Sequence, residues 1–141
     1  MSTPSRGSVH RKSWSRLVRT THGSWLVDLE TEELLAAEDD AGEAPDVKVS
    51  LPRVVAAAAS GSTVVAVVDR RPPLAVSYDA GMTWHESGGG LPKGTAVTID
   101  PENPDRILYA ARNRLFFSED GGRFWRALVV ELPEIEAVMF V

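Results

Sequence analysis

The hydrophobic positions of this chain fall in short runs that are bounded by glycine, proline, asparagine or aspartate. Such runs, rich in β-branched and aromatic residues, are typical of antiparallel strands and too short for ordinary helices. In the middle of the chain they cover residues 54–58, 64–68, 74–77 and 83–86, and the following stretch repeats them at 96–100, 107–111, 115–118 and 124–131. The pattern predicts an all-β fold made of units of four antiparallel strands.

A turn motif recurs between these strands at a nearly fixed spacing. Ser77-Tyr-Asp-Ala-Gly-Met-Thr-Trp84 and Ser118-Glu-Asp-Gly-Gly-Arg-Phe-Trp125 both read Ser-x-Asp-x-Gly-x-x-Trp, and their aspartates lie 41 positions apart. Leu-Pro pairs keep a similar spacing, at Leu51-Pro52, Leu91-Pro92 and Leu132-Pro133. Four strands in a period of about 40 residues are typical of the blades of a β-propeller.

A weaker copy of the motif precedes these two. Asp40 and Gly42 keep the aspartate and the glycine, 39 positions before Asp79, but not the serine and tryptophan. The first unit is then predicted to have strands at 16–20, 25–29, 34–37 and 46–50. We therefore predict a basic flexible tail over residues 1–14, a partial propeller with blades over 15–52, 53–92 and 93–133, and an extra strand over 134–141 that begins a fourth blade.

Over residues 15–141 the motif resembles the Asp-box, or BNR repeat, of the sialidase-like, sortilin-like and photosystem II assembly factor-like β-propellers. The longer string from Leu91 through Asp105 to Trp125 is similar to a bacterial branch of that group, which does not share one function. The resemblance implies that the turns lie at the propeller periphery and support the fold. The structural residues would be Ser77, Asp79, Gly81, Trp84, Ser118, Asp120, Gly122 and Trp125, with Asp40 and Gly42 in the weak copy.

The chemistry of the motif agrees with a structural role. The carboxylates of Asp79 and Asp120 can accept hydrogen bonds from backbone N–H groups of the turn, and a glycine two positions later permits a positive φ. Each serine can add a local hydroxyl bond, and each tryptophan can bury apolar area between adjacent sheets.

Composition and charge narrow the classes of function. The chain has 141 residues, no cysteine and a net charge of −5, so it has no disulfide framework or thiolate metal site, and nucleic acid is disfavoured as a principal partner. The basic N-terminal residues are not followed by an apolar stretch of signal-peptide length, and no run approaches membrane-spanning length. These features predict a cytoplasmic protein that does not contact a membrane.

No set of residues predicts catalysis, a metal site or a cofactor. A sialidase-type site needs an arginine clamp, a tyrosine with its glutamate and a separate acid from many blades, which three blades cannot supply. Asp69, Glu86 and Asp100 are carboxylates near strand ends, but nothing in the sequence pairs them. The three histidines, at positions 10, 22 and 85, lack the spacing of zinc ligands.

One basic set is a candidate for binding. Arg70, Arg71, Arg112 and Arg114 fall in equivalent connections between the second and third strands of successive units, so they are expected on one side of the assembly. They could bind an acidic partner or a carboxylate-bearing ligand. Solvated turn arginines are the alternative.

Three units and one strand do not close a propeller of the usual four to eight blades. The chain is then part of a longer protein, an open arc, or half of a six-bladed ring in which residues 134–141 pair across a homodimer interface. Self-association or a protein partner is expected. Two functions remain open: a non-catalytic interaction or assembly scaffold, and a glycan-binding or glycoside hydrolase-like propeller whose site forms only in an oligomer.

Overall fold

The computed structural model describes residues 15–37 and 47–140. The predicted tail over 1–14 and the weak motif at Asp40 and Gly42 lie outside these residues. The described residues form strands and no helix, so no helix there is long and apolar enough to cross a membrane. The strands are β1 (Ser15–Thr20), β2 (Gly23–Asp28), β3 (Leu34–Ala37), β4 (Val54–Ser60), β5 (Thr63–Val68), β6 (Leu74–Ser77), β7 (His85–Ser87), β8 (Ala96–Asp100), β9 (Asn103–Ala111), β10 (Arg114–Ser118), β11 (Arg126–Ala127) and β12 (Ile135–Phe140).

The strands form three antiparallel sheets of four strands each, which confirms the predicted all-β class. The second sheet has the order β4-β5-β6-β7 and the third has the order β8-β9-β10-β11, so each strand pairs with its neighbour in sequence. Short connections join these strands, as expected for antiparallel pairs. The result is a partial, propeller-like β fold.

The first sheet is assembled differently from the prediction. Its order is β12-β1-β2-β3, so its fourth strand comes from the end of the described chain. Val47–Ser50 form no strand, and β12 does not begin a further unit, because it pairs with β1 in a register that places Val18 opposite Val138. Both valines are at most 2% exposed and belong to one apolar cluster, so the pairing buries apolar area that residues 47–50 do not bury.

Two apolar clusters hold the sheets together. The first cluster lies between the first and third sheets and includes Val27, Val138, Leu115 and Phe117. The second cluster lies between the second and third sheets and includes Val65, Val76, Tyr109 and Phe116. The third sheet is therefore in the middle, and the first strands of the three sheets, β4, β8 and β12, lie side by side.

The outer strands are shorter than predicted. The strand expected over 124–131 is reduced to Arg126–Ala127, because the Phe124 N–H donates to the Asp120 carboxylate and so belongs to the preceding turn. Phe124 and Val129 are 78% and 76% exposed, so their apolar character does not mark a buried strand face. In contrast, β9 is longer than predicted, because it begins at Asn103, four residues before the predicted start at residue 107.

Successive connections of an antiparallel sheet alternate between its two ends. The two motif turns over residues 77–84 and 118–125 are called here the Ser-Asp turns. Both lie at the same end of the sheets, where the Ala80 N–H donates to the Ser62 carbonyl and the Gly121 N–H donates to the Asp105 carbonyl. This is called the Ser-Asp end. The opposite end contains the 69–73 and 112–113 connections and is called the arginine end.

Candidate functional site

The Ser-Asp turn of the second sheet is a network centred on the Asp79 carboxylate. Asp79 Oδ1 accepts from the Thr83 N–H at 2.8 Å and from the Ser77 hydroxyl at 2.7 Å, and Oδ2 accepts from the Thr83 hydroxyl at 2.6 Å. Ser77 Oγ in turn accepts from the Gly81 N–H at 2.8 Å. Gly81 has a φ of 92°, a left-handed conformation that favours glycine.

The turn of the third sheet repeats this network. Asp120 Oδ1 accepts from the N–H groups of Arg123 and Phe124 at 3.1 and 3.0 Å and from the Ser118 hydroxyl at 2.8 Å. Gly122 has a φ of 93°, and its N–H donates to Ser118 Oγ at 2.9 Å. In both turns the aspartate and the serine accept hydrogen bonds from groups of the same turn.

These contacts lower the pKa of both carboxyl groups. The Thr83 hydroxyl and N–H and the Ser77 hydroxyl hold the pKa of Asp79 far below its ordinary value. Burial raises the pKa of Asp120, but the hydrogen bonds from Phe124, Ser118 and Arg123 outweigh burial and leave that pKa below its ordinary value. Both groups are therefore charged acceptors at neutral pH rather than proton donors.

The two motif tryptophans have different surroundings. Trp125 packs against the apolar cluster between the second and third sheets, edge-on to Tyr109 with ring centroids 6.1 Å apart. Its Nε1 donates to Ser87 Oγ of the second sheet at 3.0 Å. Trp84 is half-buried and, among the described residues, is not packed into either apolar cluster.

Arg70, Arg71 and Arg112 lie in the expected connections and Arg114 is the first residue of β10, but the structure divides these four arginines into two pairs. Arg70 forms an ion pair with Glu86 at 3.1 Å, and Arg114 Nη2 donates to the Leu128 carbonyl at 3.0 Å. Arg71 and Arg112 are exposed and form no ion pair with another residue of the described ranges. Arg112 has a φ of 59°, and its carbonyl accepts from the Ile135 N–H at 2.7 Å.

A cavity of about 500 Å³ lies beside Arg112. The hydrogen bonds Leu132 N–H to Asn113 C=O and Thr21 N–H to Glu134 C=O fix the connections around it. The cavity is therefore bordered by a backbone held in place on both sides. Its lining residues are Arg112, Asn113, Leu132, Pro133 and Glu134.

A second cavity, of about 450 Å³, lies between the first strands of the three sheets. Its walls come from β4, β8, β12 and the extended residues Val47–Val49, and most of its lining is valine or alanine. The polar exceptions are Lys48, Thr95 and Glu136. No sequence pattern pointed to these three residues, because they come together only when β12 joins the first sheet.

The carboxylates near strand ends, at Asp69, Glu86 and Asp100, are each paired with a basic side chain. Asp69 is 3.0 Å from Lys93 Nζ, Glu86 is 3.1 Å from Arg70, and the buried Asp100 is 3.3 Å from Arg106. The pairs of Asp69 and Glu86 lie together at the arginine end, whereas Asp100 lies at the Ser-Asp end. Within residues 15–37 and 47–140, no three histidine or acidic side chains are close enough to hold a metal ion.

No protein-family model matches the chain, and no curated protein is significantly similar to it. Among solved structures, it is similar to the crystal structure of the GH74 enzyme of Niastella koreensis, with a TM-score of 0.46 and 19% sequence identity. The similarity covers 85% of this chain and 18% of that chain, so the chain spans less than a fifth of the length of that protein.

Proposed function

We propose that this chain is a non-catalytic, Asp-box propeller-like module that binds an acidic segment of a protein partner at its arginine end. The observation that carries the proposal is the pair of exposed guanidinium groups of Arg71 and Arg112, which no carboxylate of the described ranges neutralises. Guanidinium groups bind carboxylates through two parallel hydrogen bonds. A partner segment that carries carboxylates therefore has the charge and the hydrogen-bond acceptors that complement these two arginines.

The surrounding structure supports a rigid binding surface. The connection between β9 and β10 consists of Arg112 and Asn113. The backbone carbonyls of both residues accept hydrogen bonds from backbone N–H groups. The adjacent 500 Å³ cavity gives space for a side chain of the partner. A fixed backbone reduces the conformational entropy lost on binding.

The remaining polar groups support a role without catalysis. The Ser-Asp turns use their serines and aspartates in internal hydrogen bonds, and Asp69, Glu86 and Asp100 each neutralise a nearby base. A general acid needs a raised pKa and a reacting group within reach. The lowered pKa values of Asp79 and Asp120 are the opposite of that requirement.

A direct test is fluorescence anisotropy with a fluorescein-labelled peptide of ten glutamates. Replacing both exposed arginines in R71Q/R112Q should weaken binding about tenfold, as expected for two exposed charge contacts. Binding to the unmodified chain should also weaken as salt is raised.

The matched control is S62E/N103D, which lowers the net charge by the same two units at the Ser-Asp end. Its affinity for the peptide should remain within about twofold of the unmodified chain, because the Debye length is about 8 Å at physiological salt. Equal losses in the two variants would contradict the proposed site. Turnover of chromogenic glycosides by the purified chain would contradict the non-catalytic role.

A further inference from the structure

A carboxylate lies beside the exposed guanidinium group of Arg112. The cavity of about 500 Å³ at the arginine end is lined by both Arg112 and Glu134, and both side chains are exposed. Within residues 15–37 and 47–140, neither side chain forms an ion pair or a hydrogen bond, either with the other or with a third residue. The cavity therefore presents one positive and one negative group to a ligand.

The backbone holds these two residues side by side. The Arg112 carbonyl accepts from the Ile135 N–H at 2.7 Å, so Glu134 lies on the segment directly beside Arg112. The Glu134 carbonyl accepts from the Thr21 N–H, in the connection between β1 and β2, at 2.9 Å. Both side chains thus project from connections that are fixed by hydrogen bonds, and a ligand meets the two charges at neighbouring points of one surface.

The remaining lining of the cavity suits a peptide. The Asn113 side chain is exposed and forms no hydrogen bond in the described part of the chain, so its amide offers two donors and an acceptor. The main chain of an extended peptide has the acceptors and donors that such an amide needs. Leu132 is buried and Pro133 is half-buried, and they provide the apolar part of the cavity wall.

Glu134 differs from the paired acids at the same end. Asp69 is 3.0 Å from Lys93 Nζ and Glu86 is 3.1 Å from Arg70, so the charges of these two acids are neutralised. The charge of Glu134 is not neutralised in this way, and like charges repel each other across an interface. A partner segment with only acidic side chains would therefore be repelled by Glu134 while it binds the exposed arginines.

We infer that Glu134 selects a partner segment of mixed charge, in which a lysine or arginine lies one or two positions from an acidic residue. Arg112 binds the carboxylate of that segment, Glu134 binds its basic side chain, and Asn113 bonds to its main chain. The inference rests on the proposed function, because it keeps Arg112 as the carboxylate site and adds a second charge to the recognition. Opposite charges matched in this way determine which partner is accepted more than how tightly it binds.

Fluorescence anisotropy with two labelled peptides tests the inference. One peptide consists of ten glutamates. In the other, also of ten residues, two glutamates alternate with two lysines, which places opposite charges both one and two positions apart. E134Q should weaken binding of the mixed peptide about threefold and strengthen binding of the glutamate peptide about twofold, as expected for one exposed charge contact. The ratio of the two dissociation constants is the quantity to compare.

E134K is a second variant, which reverses the charge and should change this ratio further in the same direction. Circular dichroism verifies that both variants fold. The matched control is E119Q, which removes the same charge from an exposed residue at the Ser-Asp end. The five residues of β10 separate the two ends by about 17 Å, which is about twice the Debye length at physiological salt. E119Q should therefore leave the ratio nearly unchanged.

The possible failures of the two proposals can be told apart. If the glutamate peptide binds through Arg71 and Arg112 but the ratio is unchanged in E134Q and E134K, the inference is overturned and the proposed function stands. If neither peptide binds the unmodified chain, both are contradicted. An equal change of the ratio in E134Q and E119Q would also overturn the inference, because net charge alone would then explain the effect.

Discussion

Each Ser-Asp turn depends on one carboxylate and one hydroxyl group. Asp79 and Asp120 each accept at least three hydrogen bonds, and the adjacent serines, at most 1% exposed, connect the carboxylate to the glycine N–H. A carboxylate with several donors is stabilised in its charged form. The turns therefore stabilise the fold more when these aspartates are ionised than when they are protonated.

The stability of the fold should consequently decrease in acid. The folded-state pKa of Asp79 and of Asp120 is lower than the unfolded-state value, which is about 3.9. Their contribution to the free energy of unfolding is fully present above that value and is lost as pH falls below about 4 toward the folded-state pKa. Urea unfolding from pH 7 to pH 2.5 measures the decrease.

The D79N/D120N variant is the control for this prediction, because its turn side chains cannot titrate. It should be less stable than the unmodified chain at pH 7 and should lose less stability between pH 4 and pH 2.5. If the free energy of unfolding of both proteins decreased equally between pH 4 and pH 2.5, acidic groups other than Asp79 and Asp120 would be the cause.

At the scale of elements, the connection from β7 to β8 packs directly against the buried ring of Tyr109. The Tyr109 hydroxyl donates to the Pro92 carbonyl at 2.6 Å, and burial raises the pKa of this tyrosine to about 12. Gly94 lies directly against the ring, where a Cβ atom would overlap Cε1, Cζ and the hydroxyl oxygen. The absence of a side chain at Gly94 thus allows the connection to pass over the third sheet.

Replacing this glycine should therefore destabilise the fold. G94A is expected to lower the free energy of unfolding by about 1–3 kcal/mol, the usual cost of overpacking. G89A is the matched control, because a Cβ atom at Gly89 meets nothing within 4 Å and the substitution should be nearly neutral. Urea unfolding of both variants is the measurement, and equal stabilities would contradict the packing described for Gly94.

Local sequence patterns predicted the second and third sheets because their strands pair in sequence order. The periodic motif also placed the Ser-Asp turns, whose hydrogen bonds connect residues at most four positions apart. It did not predict the partner of β12. Val18 and Val138 are 120 positions apart in the sequence. Local patterns identify both as apolar strand residues but do not show that their strands pair.

The candidate binding residues were predictable only in part. The equivalence of the 69–73 and 112–113 connections placed Arg70, Arg71 and Arg112 at one end. The sequence could not show that Arg70 is neutralised by Glu86 or that Arg114 donates to the Leu128 carbonyl, because both contacts depend on how the outer strands fold back. Side-chain pairing across strands thus decided which arginines remain available.

At the scale of the whole molecule, the order of the sheets determines which surfaces are available. The third sheet is covered on both faces by the first and second sheets, so its connections at the arginine end and at the Ser-Asp end are its exposed surfaces.

The central claim is that β12 completes the first sheet of its own chain, because this pairing brings Val138 beside Val18 in the apolar cluster between the first and third sheets. Isotope-filtered nuclear Overhauser spectroscopy on an equimolar mixture of labelled and unlabelled chains tests it directly. Contacts between Val18 and Val138 should appear only within one chain, in the register that also pairs Leu17 with Met139. The same contacts between labelled and unlabelled chains would contradict the account, because β12 would then be exchanged between copies.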